Sequence, residues 1–186
     1  MNRAPPPMPG AGARERLLEE MIRVDHAGEF GAVQIYRGQR AVFERIDGKA
    51  HTSRIIAEME AGEQEHLHTF DHLIAERGVR PTLMAPLWRI AGFGLGAATA
   101  LMGERAAHAC TEAVEEVIEE HYARQSAALD GVDHELKEVV DRFREDELAH
   151  RDTAIEQGAH DAPGYPALSA LIRFGCRAAI RISEKI

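Results

Sequence analysis

Residues 56–73, IAEMEAGEQEHLHTFDHL, and residues 136–154, LKEVVDRFREDELAHRDTA, decide how this chain folds. In the first, Ile56, Met59, Glu63, His66, Phe70 and Leu73 recur alternately at three and four residues, the spacing of the buried stripe of an amphipathic helix. In the second, Leu136, Val140, Phe143, Glu147, His150 and Ala154 do the same. A carboxylate and an imidazole therefore point, twice, where leucines belong. Burying an ionised carboxylate without a partner costs several kcal/mol, so these groups need either mutual pairing or a cation. Few Lys or Arg lie on the stripes, which favours the cation. Glu-x-x-His alone is a weak signal, and Glu65 with His68 makes a third pair. That pair shares its face with Glu58, Ala61, His72 and Ala75, a face that belongs in water.

Two further glutamates follow from an internal repeat. EFGAVQIYRGQ from Glu29 aligns with EEVIEEHYARQ from Glu115, matching Tyr36 to Tyr122 and Gln39 to Gln125 at an offset of 86 residues. Glu63, His66 and Thr69 match Glu147, His150 and Thr153 at an offset of 84. Each half thus offers one Glu on one helix and a Glu-x-x-His on the next, the ligand set of a carboxylate di-metal bundle. His26 precedes Glu29 by three but has Glu112 as its counterpart, so it is expected behind the ligands at best. Of Glu112, Glu115, Glu116, Glu119 and Glu120, only Glu115 shares a stripe with Ile118, Tyr122, Gln125 and Leu129. The other four are expected to form a solvated face.

The expected fold is all-α, a ferritin-like four-helix bundle with additions. Length allows one domain with a sizeable core. Helices are expected at about 14–46, 52–77, from 104 to the Asp130-Gly131 turn, and from a cap at Asp133 until Gly158, with Asp47-Gly48 and Gly78 as stops. Residues 1–13, rich in Pro and Gly, read as a disordered tail before a domain at 14–186, with repeats at 14–77 and 104–158. A net charge of -9 argues against broad binding to nucleic acid. Cys110 and Cys176 form no CxxC, which points to neither a disulfide framework nor a zinc site.

Two segments lie outside the four-helix plan. PLWRIAGFGLGAATALMG, 86–103, is apolar after Arg89 but has only about 14 uninterrupted apolar residues, against the ~20 that span a bilayer. The C-terminal PALSALIRFGCRAAIRISEKI spaces Arg173, Arg177, Arg181 and Lys185 by four beside Leu171, Ile172, Phe174, Ile180 and Ile182. That pattern suits either a helix on an anionic membrane surface or an extra helix packed on the bundle with its arginines in water.

Mixed oxygen and nitrogen donors suit iron or manganese better than thiolate-seeking metals. Beyond this the resemblance is specific. MIRVDHAGEFGAVQIYRGQ, EQEHLHTF, ACTEAVEEVIEEHY and FREDELAH resemble the signature segments of the 5-demethoxyubiquinone hydroxylase family, and the similarity covers nearly the whole chain after about Arg14. The resemblance implies two iron ions (Fe2+), with Glu29 and Glu115 terminal, Glu63 and Glu147 bridging, and His66 and His150 one on each iron. It implies O2-dependent hydroxylation of the open ring position of a demethoxyubiquinol, with O2 as co-substrate and NADH as ultimate reductant. It further implies a peripheral protein on the cytoplasmic face of the inner membrane, with segments 83–103 and 166–186 at the lipid, the apolar one admitting the polyprenyl quinone and the C-terminal arginines meeting headgroups. His121 and Tyr122 match the family's His-Tyr pair and are candidates for handling substrate or relaying protons and electrons.

A ferritin-like or rubrerythrin-like ferroxidase or peroxidase shares the same ligand helices, but needs neither added segment. A non-catalytic, metal-stabilised bundle that binds membranes is the alternative from another class, and a tRNA-hydroxylating di-iron enzyme is disfavoured by the acidity. Apolar patches at 86–103 and 168–182 favour self-association or a lipid-binding partner protein.

Overall fold

The computed structural model of the chain describes residues 11–186. They form six α-helices, α1 (Ala11–Phe43), α2 (Ala50–Arg77), α3 (Ala85–Leu101), α4 (Glu104–Leu129), α5 (His134–Glu156) and α6 (Tyr165–Ser183), with a 3-10 turn at Ala159–Asp161. No strand occurs among the described residues. Residues 11–13 of the expected tail are instead the first residues of α1, and the rest of that tail lies outside the described residues.

The helix ends obey local rules. α1 ends three residues earlier than expected because its last turn tightens into i→i+3 bonds, Arg45 N to Val42 O at 3.1 Å and Ile46 N to Phe43 O at 3.2 Å. α2 closes at Gly78 in the left-handed region, φ 65°, with its N–H on Ile74 O. Asp133 caps α5 by accepting from Leu136 N at 3.0 Å.

The four-helix bundle is ferritin-like, with α1 packed on α2 and α4 on α5 as two helix pairs. Buried Ile22, Phe70, Tyr122, Leu129, Leu136, Val140 and Phe143 fill one end, and Tyr36, Phe43, Ile56, Met59, Ala100 and Ala107 fill the other. Each large apolar side chain so buried contributes roughly 1.5–3 kcal/mol. The stripe residues of α2 pass from one cluster to the other, Ile56 and Met59 to Phe70 and Leu73, leaving Glu63 and His66 at the middle.

The two added segments both become helices lying on the bundle. α3 sits backbone to backbone on α1, since a Cβ at Gly96 would lie 2.0 Å from Ile35 O and one at Gly38 would lie 2.2 Å from Phe93 O. Its opposite face carries exposed Leu87, Ile90 and Leu101. No helix among the described residues is long and apolar enough to cross a membrane.

α6 bears on two expectations. Arg173 and Arg177 turn onto α4, pairing with Glu116 at 2.8 Å and Glu120 at 3.0 Å. Glu112, Glu116, Glu119 and Glu120 accordingly are not a purely solvated face, since each meets a partner from another helix. Glu112 is buried and accepts from the Tyr165 hydroxyl at 2.8 Å, and Glu119 takes Arg144 of α5 at 2.7 Å. Arriving helices bring the cations and donors that a lone helix lacks. The outward side of α6 is apolar, with Leu171 and Phe174 exposed.

Candidate metal centre

Seven stripe residues of α1, Ile22, Asp25, Glu29, Ala32, Tyr36, Gln39 and Phe43, alternate by three and four and are all buried. That stripe delivers Glu29, and α4 delivers Glu115 by the same rule. With Glu63 and His66 from α2 and Glu147 and His150 from α5, all six expected residues meet at the bundle's middle. They divide into two groups of four, Glu29, Glu63, His66 and Glu147, and Glu63, Glu115, Glu147 and His150, each with donor atoms within 4.8 Å of one another. Glu63 and Glu147 belong to both.

The shared carboxylates reach toward both imidazoles. Glu63 Oε2 lies 3.7 Å from His66 Nδ1 and its Oε1 2.9 Å from His150 Nδ1. Glu147 Oε1 lies 3.3 Å from His66 Nδ1 and its Oε2 3.6 Å from His150 Nδ1. Such placement lets each carboxylate bridge two ions. Glu65 and His68 lie exposed on the far face of α2, and His26 faces Asp71 at 3.0 Å, outside both groups.

Among the described residues no Lys or Arg pairs with these six. Instead Glu29 Oε2, both oxygens of Glu63 and Glu147, Glu115 Oε2, and Nδ1 of His66 and His150 are buried without a hydrogen bond. Native proteins rarely leave such atoms unpaired, and eight together form a group that could hold cations. Four carboxylate charges match two divalent ions.

Without metal, protons carry that balance. Burial raises Glu29 and Glu115 well above the ordinary carboxylate range, and the neighbouring carboxylates raise them further. Burial also opposes charge on Glu63, yet the adjoining imidazoles of His150 and His66 bring it down to about 2. Burial would lower His150, but Glu147 and Glu63 raise it to about 10, and His66 is raised likewise. Bound cations would displace these protons.

Tyrosines close the outer flanks. Tyr36 donates to Glu115 Oε1 at 2.5 Å, and Tyr122 donates to Glu29 Oε1. Burial, then the adjoining carboxylates, push both phenols well above their usual pKa, so both stay protonated donors. His121 is not in the cluster. Its Nε2 lies 3.2 Å from buried Asp25, to which Gln125 also donates at 2.8 Å. Burial raises the Asp25 pKa, partly offset by His121.

Sequence reasoning missed Asp25 and Asp146. Asp25 was findable, since it sits on the α1 stripe one turn before Glu29. Asp146, which accepts from His66 Nε2 at 3.1 Å, sits off the stripe of α5, and no spacing marks it.

Two copies of a helix pair that gather four carboxylates and two imidazoles in a dry centre define a ferritin-like bundle able to hold two metal ions. Residues 16–183 match the family described as Ubiquinone biosynthesis protein COQ7. The chain is 47% identical over 179 residues, 96% of its length and 83% of the relative's, to a Rhodospirillum rubrum protein named 3-demethoxyubiquinol 3-hydroxylase. It is 46% identical to the Rattus norvegicus protein named NADPH-dependent 3-demethoxyubiquinone 3-hydroxylase, mitochondrial, covering 90% of this chain and 77% of that one. It is 39% identical to the Saccharomyces cerevisiae 5-demethoxyubiquinone hydroxylase, mitochondrial, covering 94% and 80%. The chain belongs to the COQ7 family.

Proposed function

We propose that this chain hydroxylates the ring of demethoxyubiquinol with O2 in ubiquinone biosynthesis, using two iron ions held by Glu29, Glu63, His66, Glu115, Glu147 and His150. The observation that carries this reading is the eight orphaned donor atoms of the buried cluster, in a chain whose relatives are named for this hydroxylation. Two ferrous ions in that cluster would supply the electrons that activate O2. In balance, the ring C–H becomes C–OH, one oxygen atom leaves as water, and two electrons and two protons are taken up.

The chain's own residues prepare that chemistry. Glu63 and Glu147 would hold both ions, and the low dielectric of the bundle strengthens every charge contact there. Tyr122 holds a proton at Glu29, and Tyr36 holds one at Glu115. A cavity of ≈ 500 Å³ opens between α1, α3, α4 and α6, lined by Gly28, Ile35, Trp88, Leu95, Ile118 and Ile172 among others. Its apolar wall fits a prenylated ring, and Gly28 and Val114 place it beside Glu29 and Glu115.

The exposed apolar faces of α3 and α6 support a peripheral position at a membrane, which we propose to be the cytoplasmic face of the inner membrane; a lipid-binding partner protein or a second copy of the chain can also cover them. NADH is the expected ultimate reductant. NADPH, in the names of several relatives, stands beside it as the donor to compare.

The test loads the protein with Fe(II), adds a demethoxyubiquinol analogue, reduced nicotinamide and labelled O2, and examines the quinone ring by mass spectrometry. One labelled oxygen on the ring, absent in Glu147→Ala, is the expected result. Iron oxidation and O2 consumption with an unmodified ring would favour a ferroxidase instead.

A further inference from the structure

The two halves of the repeat supply matching ligands, but different groups stand behind them. His66 turns Nδ1 into the cluster and Nε2 outward, 3.1 Å from Asp146 Oδ2. Asp146 immediately precedes Glu147 on α5, so the acceptor reaches His66 from the other half of the repeat. At the offset of 84 residues that relates the two helices, its counterpart on α2 is Gly62.

Gly62 does lie where the twofold relation puts it. A Cβ on it would stand 3.3 Å from Nε2 and Cε1 of His150. The position behind His150 is thus present without its carboxylate, and among the described residues the carboxylates paired with His150, Glu63 and Glu147, both meet its Nδ1. The packing differs in the same direction. The His66 ring stacks on Phe143 with centroids 3.9 Å apart, whereas His150 meets Tyr36 only edge-on at 6.5 Å. Side-chain exposure is 4% for His66 and 15% for His150.

An acceptor on the outer nitrogen of a ligand histidine fixes the tautomer that offers the inner lone pair, orients the ring and raises its basicity, and losing it typically costs 10–100-fold in metal affinity. We propose that the two metal positions are unequal. The position served by Glu29 and His66 is the tight one, with Asp146 as its positioning residue, and the position served by Glu115 and His150 fills last and empties first. Asp146 is 53% exposed, so it acts through ring orientation and tautomer more than through its screened charge. Asparagine, which keeps an acceptor oxygen, should therefore preserve much of its effect. This inference rests on the two-metal reading of the cluster.

The experiment titrates the metal-free, full-length protein with Co(II) anaerobically, followed by calorimetry and by the visible spectrum of the ion. Two steps separated by about 10–100-fold are expected, with Asp146→Ala weakening the first by a similar factor, Asp146→Asn restoring most of it, and the second step unmoved. Anomalous scattering from crystals given one equivalent of Co(II) should place the ion beside His66. Two steps of equal affinity, a separation untouched by Asp146→Ala, or a first ion beside His150 would overturn the proposal. Failure to bind two equivalents would sink the two-metal reading instead.

Discussion

The hydroxyl of Tyr122 on α4 donates to the carboxylate of Glu29 on α1, and across the bundle Tyr36 on α1 donates to Glu115 on α4. Each half of the repeat thus holds the lone glutamate of the other. The exchange ties α1 to α4 at the level of the carboxylate cluster.

Tyr122→Phe leaves the Glu29 oxygen without its donor. The metal-free protein should lose about 1–3 kcal/mol in urea unfolding, the cost of an orphaned buried acceptor. Turnover should fall roughly 10²-fold if the phenol moves a proton during the reaction. Full turnover in the variant would reduce Tyr122 to a structural role.

Metal should stabilise the fold. With free Fe(II) at about 100 times its dissociation constant, a single site adds about 2.7 kcal/mol, because only the folded chain gathers the ligands. Glu63→Ala, which removes a carboxylate common to both groups, should abolish the gain in melting temperature while leaving the helical circular dichroism intact. Equal melting of the parent protein with and without metal would speak against the site.

Gly96→Ala should detach α3. Its Cβ would stand 2.0 Å from Ile35 O, a backbone atom that cannot step aside, so the helix must shift. Overpacking of this kind costs about 1–3 kcal/mol or more. Chemical denaturation should show the loss, and hydrogen exchange should locate it in residues 85–101. An unchanged exchange pattern would mean that α1 and α3 are less closely packed.

His108 should make the protein acid-sensitive. Burial pushes its pKa down to about 4, against the opposing charge of Glu104. Between an ordinary value near 6.5 and 4 the unfolded chain binds a proton that the folded chain refuses, so stability is retained above about pH 6.5 and lost as pH falls toward 4, by up to about 3 kcal/mol. His108→Leu should flatten that part of the urea-midpoint profile. Parallel profiles for the two proteins would contradict a neutral, buried His108.

Ile90 on α3 and Phe174 on α6 are each 72% exposed. If these faces meet lipid, the double variant Ile90→Ser, Phe174→Ser should weaken sedimentation with vesicles roughly tenfold at unchanged melting temperature. Undiminished vesicle binding would assign the faces to a protein partner.

The bundle and its six candidate ligands were legible in the chain because helical periodicity is a local property. Glu63 with His66 and Glu147 with His150 betray themselves by occupying leucine positions, and the repeat then selects Glu29 and Glu115. The same stripe, extended one turn, marks Asp25. Whether Glu112, Glu116, Glu119 and Glu120 face water depends on which helices cover α4, and only the tertiary structure brings Tyr165, Arg144, Arg173 and Arg177 to them. The same holds for Asp146 against His66 and for Gly96 against Ile35. A stripe records which residues leave water, since burial follows from the pitch of one helix. What they meet there is set by the approach of a second helix, which no spacing within the first encodes.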